Sequence, residues 1–379
     1  MRRGSEQGRD GLRVLYLSWR DQEHPEAGGS ETYVERTAAV LADHGHDVTI
    51  LAAAFPGGSE RTRHGAVRVL RRGGRFTVYL RGLAHLVRHR SDYDVVVDVQ
   101  NGVPFWSPLV TRLPVVPVVH HAHRDQWPVI MGPALGALGW FLESRVAPRV
   151  YRRCRYVTVS RATLADLTAL GVDPARVTVT YSGNDLPEDY TSYRSVPRSA
   201  QPRLMVLGRM VPHKHVEVAI DLVCDLRKRY PTLEMDVVGS GYWLDRLREH
   251  ASRVGVADRV TFHGFVDERT KNRLLAESWV VLMPSQKEGW GLTIVEAGLH
   301  GTPAVAFAHA GGVTESIVDA ETGLLAKDRD EMLTQVATLL SDAELRDKYG
   351  ENARHHACGF SWAATGDGLE AVLREVATR

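Results

Sequence analysis

The sequence predicts an α/β protein made of two doubly wound parallel sheets, each in its own domain. Three observations lead there. Short β-branched runs alternate with amphipathic stretches, and this alternation restarts after a Pro-, Ser- and Tyr-rich segment at residues 186–202. The length of 379 residues also exceeds what one ordinary core accommodates.

In the first half, strands are expected at residues 12–17, 47–51, 95–99, 115–119 and 156–159. These runs are almost continuously apolar, as befits strands covered by helices on both faces. Residues 31–44 place Val34, Ala38 and Leu41 at helical spacing, and Gly45 ends that helix. The segment LPEDYTSYRSVPRSAQP (186–202) reads as an interdomain linker. Beyond it, strands are expected at 203–207, 233–238, 259–262, 280–283 and 303–307, with a helix over 215–229. The predicted domains are 1–190 and 202–360, with a terminal helix over 361–379.

Composition narrows the function classes. A formal net charge of +1 gives no bulk attraction for nucleic acid. Cys154, Cys224 and Cys358 are odd in number and widely spaced, which fits neither a disulfide framework nor a closed zinc site. No run approaches the ~20 apolar residues of a membrane span. Residues 1–11 are polar and basic and read as a frayed leader rather than a signal peptide. The expected compartment is the cytoplasm.

Ligands of such sheets bind beyond the carboxyl ends of the strands, so chemistry is sought there. The richest segment starts at Met283. It turns through Gly289 and Gly291 and enters a helix near Leu292, whose free N–H groups and positive dipole end suit a phosphate. Glu288 precedes the turn and is placed to accept hydrogen bonds from the hydroxyls of a sugar; Glu296 lies one helical turn in and is placed to accept them from ribose hydroxyls. A bland reading of Glu296, as a charge that stabilises the helix dipole, stands beside this one.

The string Glu288-Gly289-Trp290-Gly291-Leu292-Thr-Ile-Val-Glu296, with Gly301-Thr-Pro303 and Gly311-Gly312 after it, resembles the Glu-x7-Glu donor site of family 4 glycosyltransferases. These are retaining enzymes of the GT-B fold, two Rossmann-like domains facing across a cleft. The resemblance implies that Glu288 contacts the donor sugar and Glu296 the ribose, with residues 289–292 under the diphosphate. Gly208-Arg209-Met210-Val-Pro-His-Lys214 resembles the family's Gly-Arg…Lys segment. There Arg209 and Lys214 would hold the diphosphate and stabilise its growing negative charge as the glycosidic bond breaks. The Gly239-Ser-Gly241 turn would approach the nucleotide, and Gly264-Phe265 would lie beside the nucleobase.

Resemblance extends into the first half. Gly28-Gly29-Ser30-Glu31 is similar to the family's glycine-rich loop facing the phosphates, although Ser30 alone also reads as a helix N-cap. The family's strand-end histidine falls best on His121, with His120 and His123 as alternative registers; Arg124 and Asp125 are then candidates for acceptor contacts. Ser182-Gly183-Asn184-Asp185 departs from the Asn-Gly-Val-Asp of many relatives, and residues 61–90 match poorly. The last helix, from Phe360-Ser361-Trp362, is expected to return to the first domain, making cleft closure a hinge motion.

No metal and no cofactor are expected. The Asp-x-Asp pairs at 92–94 and 328–330 read as structural or solvated, and the three histidines lack partners at ligand spacing. A dehydrogenase is disfavoured, since the first βα turn lacks the dinucleotide glycine pattern. The implied reaction is transfer of a hexose-type group from a UDP- or GDP-sugar to an acceptor hydroxyl. The alternative is a GT-B protein that binds sugar nucleotides without catalysis. Residues 71–90 and 132–156 interleave arginines with apolar side chains. They read either as ordinary domain helices or as basic amphipathic surfaces that meet anionic lipid at the inner membrane face, which would suit a lipid-linked acceptor.

Overall fold

The computed structural model describes residues 11–187 and 189–378. The expected polar leader therefore lies, up to residue 10, outside the described residues. The chain divides into two compact units: Met1–Gly183 with Trp362–Arg379, and Asn184–Ser361.

The first unit alternates strands and helices: β1 (Arg13–Leu17), α1 (Gly29–Asp43), β2 (Asp47–Ala52), β3 (Arg61–His64), β4 (Val67–Arg71) and α2 (Thr77–Arg88). It continues with β5 (Val95–Gln100), β6 (Val115–Val119), α3 (Gln126–Phe141), α4 (Ala147–Val150), β7 (Tyr156–Thr158), α5 (Arg161–Ala169) and β8 (Val177–Val179). The sheet runs β3-β4-β2-β1-β5-β6-β7-β8. Every pairing is parallel except β3 with β4, an antiparallel edge that the apolar-run criterion missed. Inside, all six residues of β5 are buried. The Asp98 carboxylate accepts hydrogen bonds from Phe105 N–H, Ser107 Oγ and Tyr151 Oη, at 3.0, 2.7 and 2.5 Å. Burial nevertheless raises its pKa.

Residues 71–90 are not one basic helix. Arg71 closes β4 with a fully buried side chain. Its guanidinium donates twice to Asp21 and once to Glu23, each at 2.8 Å. A charge so deep is tolerated because its donors meet carboxylates.

The C-terminal helix α14 (Trp362–Ala377) belongs to the first unit and packs on α1. Gly366 permits the close approach, since a Cβ there would stand 2.4 Å from Val40 Cγ1. Beside it, the Glu370 carboxylate accepts from His44 Nδ1 (2.6 Å), His46 Nε2 (3.0 Å) and Arg374 Nε (2.6 Å). Burial opposes ionisation of Glu370, but these three donors outweigh it and bring its pKa down to about 2. His46 Nδ1 accepts from Leu12 N–H at 2.8 Å, which leaves Nε2 as the protonated nitrogen facing Glu370.

The second unit opens with α6 (Tyr190–Tyr193), followed by β9 (Arg203–Leu207), α7 (Val216–Leu226), β10 (Glu234–Val238), α8 (Leu244–Arg253), β11 (Val260–Gly264) and α9 (Glu268–Glu277). Then come β12 (Val280–Met283), α10 (Leu292–Leu299), β13 (Ala304–Phe307), α11 (Val313–Ser316), β14 (Gly323–Ala326), α12 (Arg329–Ser341) and α13 (Ala343–Ala357). Its six strands run β11-β10-β9-β12-β13-β14, all parallel.

The expected linker is ordered onto this unit. Tyr190 Oη donates to Leu299 O at 3.1 Å, Ser199 N–H to Glu277 O at 2.9 Å and Trp279 Nε1 to Ser199 O at 2.8 Å. Arg198 donates to Thr302 Oγ1 at 2.9 Å and to the carbonyls of Ser278 and Gly301. Burial lowers its pKa to about 10. Pro, Ser and charge are the composition of a linker, but they serve an ordered loop equally well once its polar groups find partners.

Candidate functional site

In the second unit, three neighbouring strands end in glycines that are tied to one another through backbone hydrogen bonds. Gly208 N–H donates to Val238 O (3.0 Å), Gly239 N–H to Gly264 O (2.7 Å) and Met210 N–H to Ser240 O (2.9 Å). Gly239 has φ +123°, and a Cβ on it would meet Gly208 O at 1.9 Å. A side chain at that position is thus excluded twice over, by conformation and by space. The exposed Phe265 follows directly after Gly264, with 84% of its surface accessible.

After β9 the chain makes a one-turn 3₁₀ helix, Pro212–Lys214, and passes through His215 at φ +47°. A left-handed non-glycine residue is costly and marks a backbone held by its surroundings. This turn sets Lys214 Nζ 2.5 Å from Glu288 Oε1, a pair 74 residues apart in sequence. Gly208, Arg209, Lys214, Met283, Pro284 and Ser285 line one pocket at the ends of β9 and β12. Burial opposes ionisation of Glu288, but the Lys214 ammonium, a Ser285 hydrogen bond and His213 outweigh it, holding the carboxyl below its ordinary pKa.

The loop beyond Glu288 is clamped to the segment after β13. Glu288 N–H donates to Ala310 O (2.7 Å), and Gly312 N–H donates to Glu288 O (3.1 Å). A Cβ on Gly312 would stand 2.0 Å from Gly289 O. Gly291, at φ +106°, caps α10 and leaves Leu292 as its first residue. Trp290, expected among the donor-binding residues, turns its side chain into the protein. Its side chain is only 3% exposed and its ring meets Phe360 edge-on at 4.9 Å, so the indole anchors the loop from within. Glu296 lies on α10, where Lys271 Nζ of α9 donates to its Oε1 at 2.6 Å. Sequence reasoning missed Lys271; a lysine in a polar helix carries no signal of its own.

The first unit brings a second set of polar groups to the end of β6. His120 is buried, edge-on to Tyr33 at 5.1 Å, and burial, with His123, lowers its pKa to about 4. The rings of His121 and His123 lie with centroids 4.2 Å apart, tilted by 34°. His121 Nε2 lies 3.3 Å from Gln126 Oε1. Glu143, in a π-helical turn at Leu142–Val146, accepts from His123 N–H (3.1 Å), His123 Nδ1 (3.0 Å) and Trp127 Nε1 (2.6 Å). π-Turns recur at functional sites, and this one aims a carboxylate that the sequence reading overlooked. Its signal was a lone acid inside an apolar stretch. Arg124 and Asp125 are both exposed beside this cluster.

Gly28 is the N-cap of α1, and Gly29 opens the helix. The Glu31 carboxylate accepts from Gly28 N–H at 2.8 Å, so the cap comes from Gly28 and Glu31, and Ser30 sits inside the helix. The Asp-x-Asp pairs have structural duties: Asp94 binds Arg13 at 2.6 Å, and Asp328 caps α12 through Glu331 N–H at 2.9 Å. Cys154, Cys224 and Cys358 are free thiols. Among the described residues, no helix is long and apolar enough to cross a membrane.

Two Rossmann-like units, the second bearing glycine-lined strand ends around a lysine–glutamate pair, define a protein of GT-B architecture. The chain belongs to glycosyltransferase family 4: residues 27–187 match Glycosyltransferase Family 4, and residues 192–356 match Glycosyl transferases group 1. A D-inositol 3-phosphate glycosyltransferase of Corynebacterium efficiens is 34% identical over 237 residues, covering 57% of this chain and 55% of the relative. The chain thus spans about half the length of the curated relatives it matches. Sucrose-phosphate synthase of Thermosynechococcus elongatus shares the fold with a TM-score of 0.79 at 19% identity, over 96% of this chain and 98% of that one. Anabaena HepE, solved with UDP and glucose, does so at 0.74 and 20% identity, over 96% and 100%.

Proposed function

We propose that the protein is a retaining glycosyltransferase that moves a hexose-type group from a UDP- or GDP-sugar to an acceptor hydroxyl without a metal ion. The observation that carries this reading is the pocket where Arg209 and Lys214 stand at the ends of β9 and β12 with Glu288. Breaking the glycosidic bond places negative charge on the departing diphosphate. Two cations and the N-terminus of α10 favour that state over the ground state, which is the task a divalent ion performs elsewhere.

In this reading Glu288 accepts hydrogen bonds from the donor sugar, Glu296 from the ribose, and Gly264-Phe265 lies beside the base. His121 is the histidine assigned to positioning the sugar. The acceptor attacks from the face the leaving group departs, and the diphosphate oxygen takes its proton. No dedicated base is then needed. The names of the relatives support the same class, since one carries UDP with glucose and another is named for a phosphorylated polyol acceptor.

Thermal unfolding with UDP, GDP and NAD tests the reading. At ~100 times its dissociation constant a ligand adds about 2.7 kcal/mol to the folded state. One of the two nucleoside diphosphates is expected to raise the melting temperature. A shift by NAD alone would overturn the proposal. Binding of a sugar nucleotide with no diphosphate released to any acceptor would identify a non-catalytic binding protein instead.

Membrane contact through the first unit is part of the proposal. Helix α2 buries Val78, Gly82 and Leu86, yet Phe76, Leu80 and Val87 are 65%, 70% and 51% exposed beside Arg81 and Arg88. In α3, which is interrupted at Gly132 (φ 74°), Val129, Leu135, Leu138 and Phe141 are exposed, and Phe141 shares a pocket with Arg145 and Arg149. Apolar side chains among arginines suit the interface of an anionic bilayer, where each cation contributes about 1 kcal/mol. Liposomes rich in phosphatidylglycerol are expected to co-sediment the protein at low salt, and Leu80→Asp to weaken this. No binding at low salt would remove the membrane from the proposal.

A further inference from the structure

We infer that Lys271 is a positioning residue for nucleotide recognition: it fixes the carboxylate of Glu296 so that the site prefers a ribose bearing its hydroxyls. The inference rests on the sugar-nucleotide reading above.

The geometry is specific. Lys271 lies on α9 and Glu296 on α10, and their side chains are 16% and 26% exposed. Lys271 Nζ donates to Glu296 Oε1 at 2.6 Å and to Glu268 Oε2, one helical turn back, at 2.9 Å. Burial alone would lower the pKa of this ammonium, but the two carboxylates outweigh it and raise the value. Lys271 is therefore a charged fixture held from two sides, and it ties down one oxygen of Glu296. Glu296 Oε2 has no hydrogen-bond partner among the described residues.

A carboxylate with one oxygen anchored by an ammonium and the other open is pre-set to accept from a hydroxyl. Without the anchor, the long glutamate side chain is free to choose among rotamers, and ordering it on binding carries a cost. A site built to accept a hydroxyl also discriminates against a ligand lacking it, because its half-buried carboxylate then loses that partner. In this arrangement Lys271 need not touch the nucleotide. Its influence passes through Glu296, and it falls on the ribose alone, not on the diphosphate held at Arg209 and Lys214.

The test compares dissociation constants of UDP and 2′,3′-dideoxy-UDP, with GDP and 2′,3′-dideoxy-GDP in parallel, for the full chain and for Lys271→Met. The wild type is expected to prefer the ribonucleotide strongly, and Lys271→Met to narrow that preference by about tenfold, the value of one charge-assisted hydrogen bond. Lys271→Arg, which keeps a cation, is expected to restore part of it. A purely structural lysine would lower the melting temperature and leave the ratio unmoved, and an unmoved ratio overturns the inference. If Lys271→Met does not fold, Lys271→Gln, read the same way, decides. A wild type that binds UDP or GDP but treats the dideoxy forms alike also overturns it. A wild type that binds none of the four removes the sugar-nucleotide reading itself, so the two failures are distinct.

Discussion

Replacing Arg209 with alanine is expected to lower turnover by about 100- to 1,000-fold, the usual effect of deleting a group aimed at transition-state charge. The assay is the initial rate of nucleoside diphosphate release. Lys214→Ala is expected to do the same and to leave a second mark. In the native chain Lys214 holds Glu288 below its ordinary pKa, against the opposing effect of burial. A carboxyl of that kind contributes stability above its unfolded pKa, and the contribution disappears as pH falls through the folded value. Without Lys214, burial is opposed only by Ser285 and His213, and the carboxyl is expected to rise. Lys214→Ala should therefore unfold earlier than the wild type at neutral pH, with the gap closing on acidification toward the carboxylate range. A near-native turnover in either variant would sink the assignment of these cations to the leaving group.

The largest expected loss of stability lies away from this site. Arg71→Leu leaves Asp21 buried without the guanidinium that binds both its oxygens at 2.8 Å. Removing one member of a buried pair costs about 3–5 kcal/mol, and for a unit of this size roughly 2–4 °C of melting temperature accompanies each kcal/mol. Calorimetry should show the drop. Asp21→Asn placed in the same chain should recover part of it, because the stranded charge is the source of the cost. An unchanged melting temperature would show that water reaches this pair.

The same residue shows how a sequence pattern misleads. Arg71, Arg72, Arg75 and Arg81 read as one basic stripe, yet Arg71 closes a strand and points inward while Arg81 lies on an exposed helix face. Edge strands were hard to see for a related reason. β3 and β4 carry RTRH and VRVLR, with burial that alternates or fades, because a strand near a sheet edge has one face or side in water. The central strands Val115–Val119, Arg203–Leu207 and Val280–Met283 have the bounds their apolar runs predict, since two covered faces demand continuous apolar side chains.

What the sequence alone determined about this protein is local: the period of its helices and inner strands, the glycines needed at the turns, and the family signature from Glu288 to Glu296. Those properties follow from steric rules and burial acting over a few residues. Tertiary structure decided the pairings across distance. Lys214 meets Glu288 over 74 residues, Lys271 meets Glu296 over 25, and Glu143 meets His123 over 20. It also turned the Trp290 indole inward and ordered residues 189–202 against the second unit. A charged side chain selects its partner by where packing places it, and that position is a property of the whole fold.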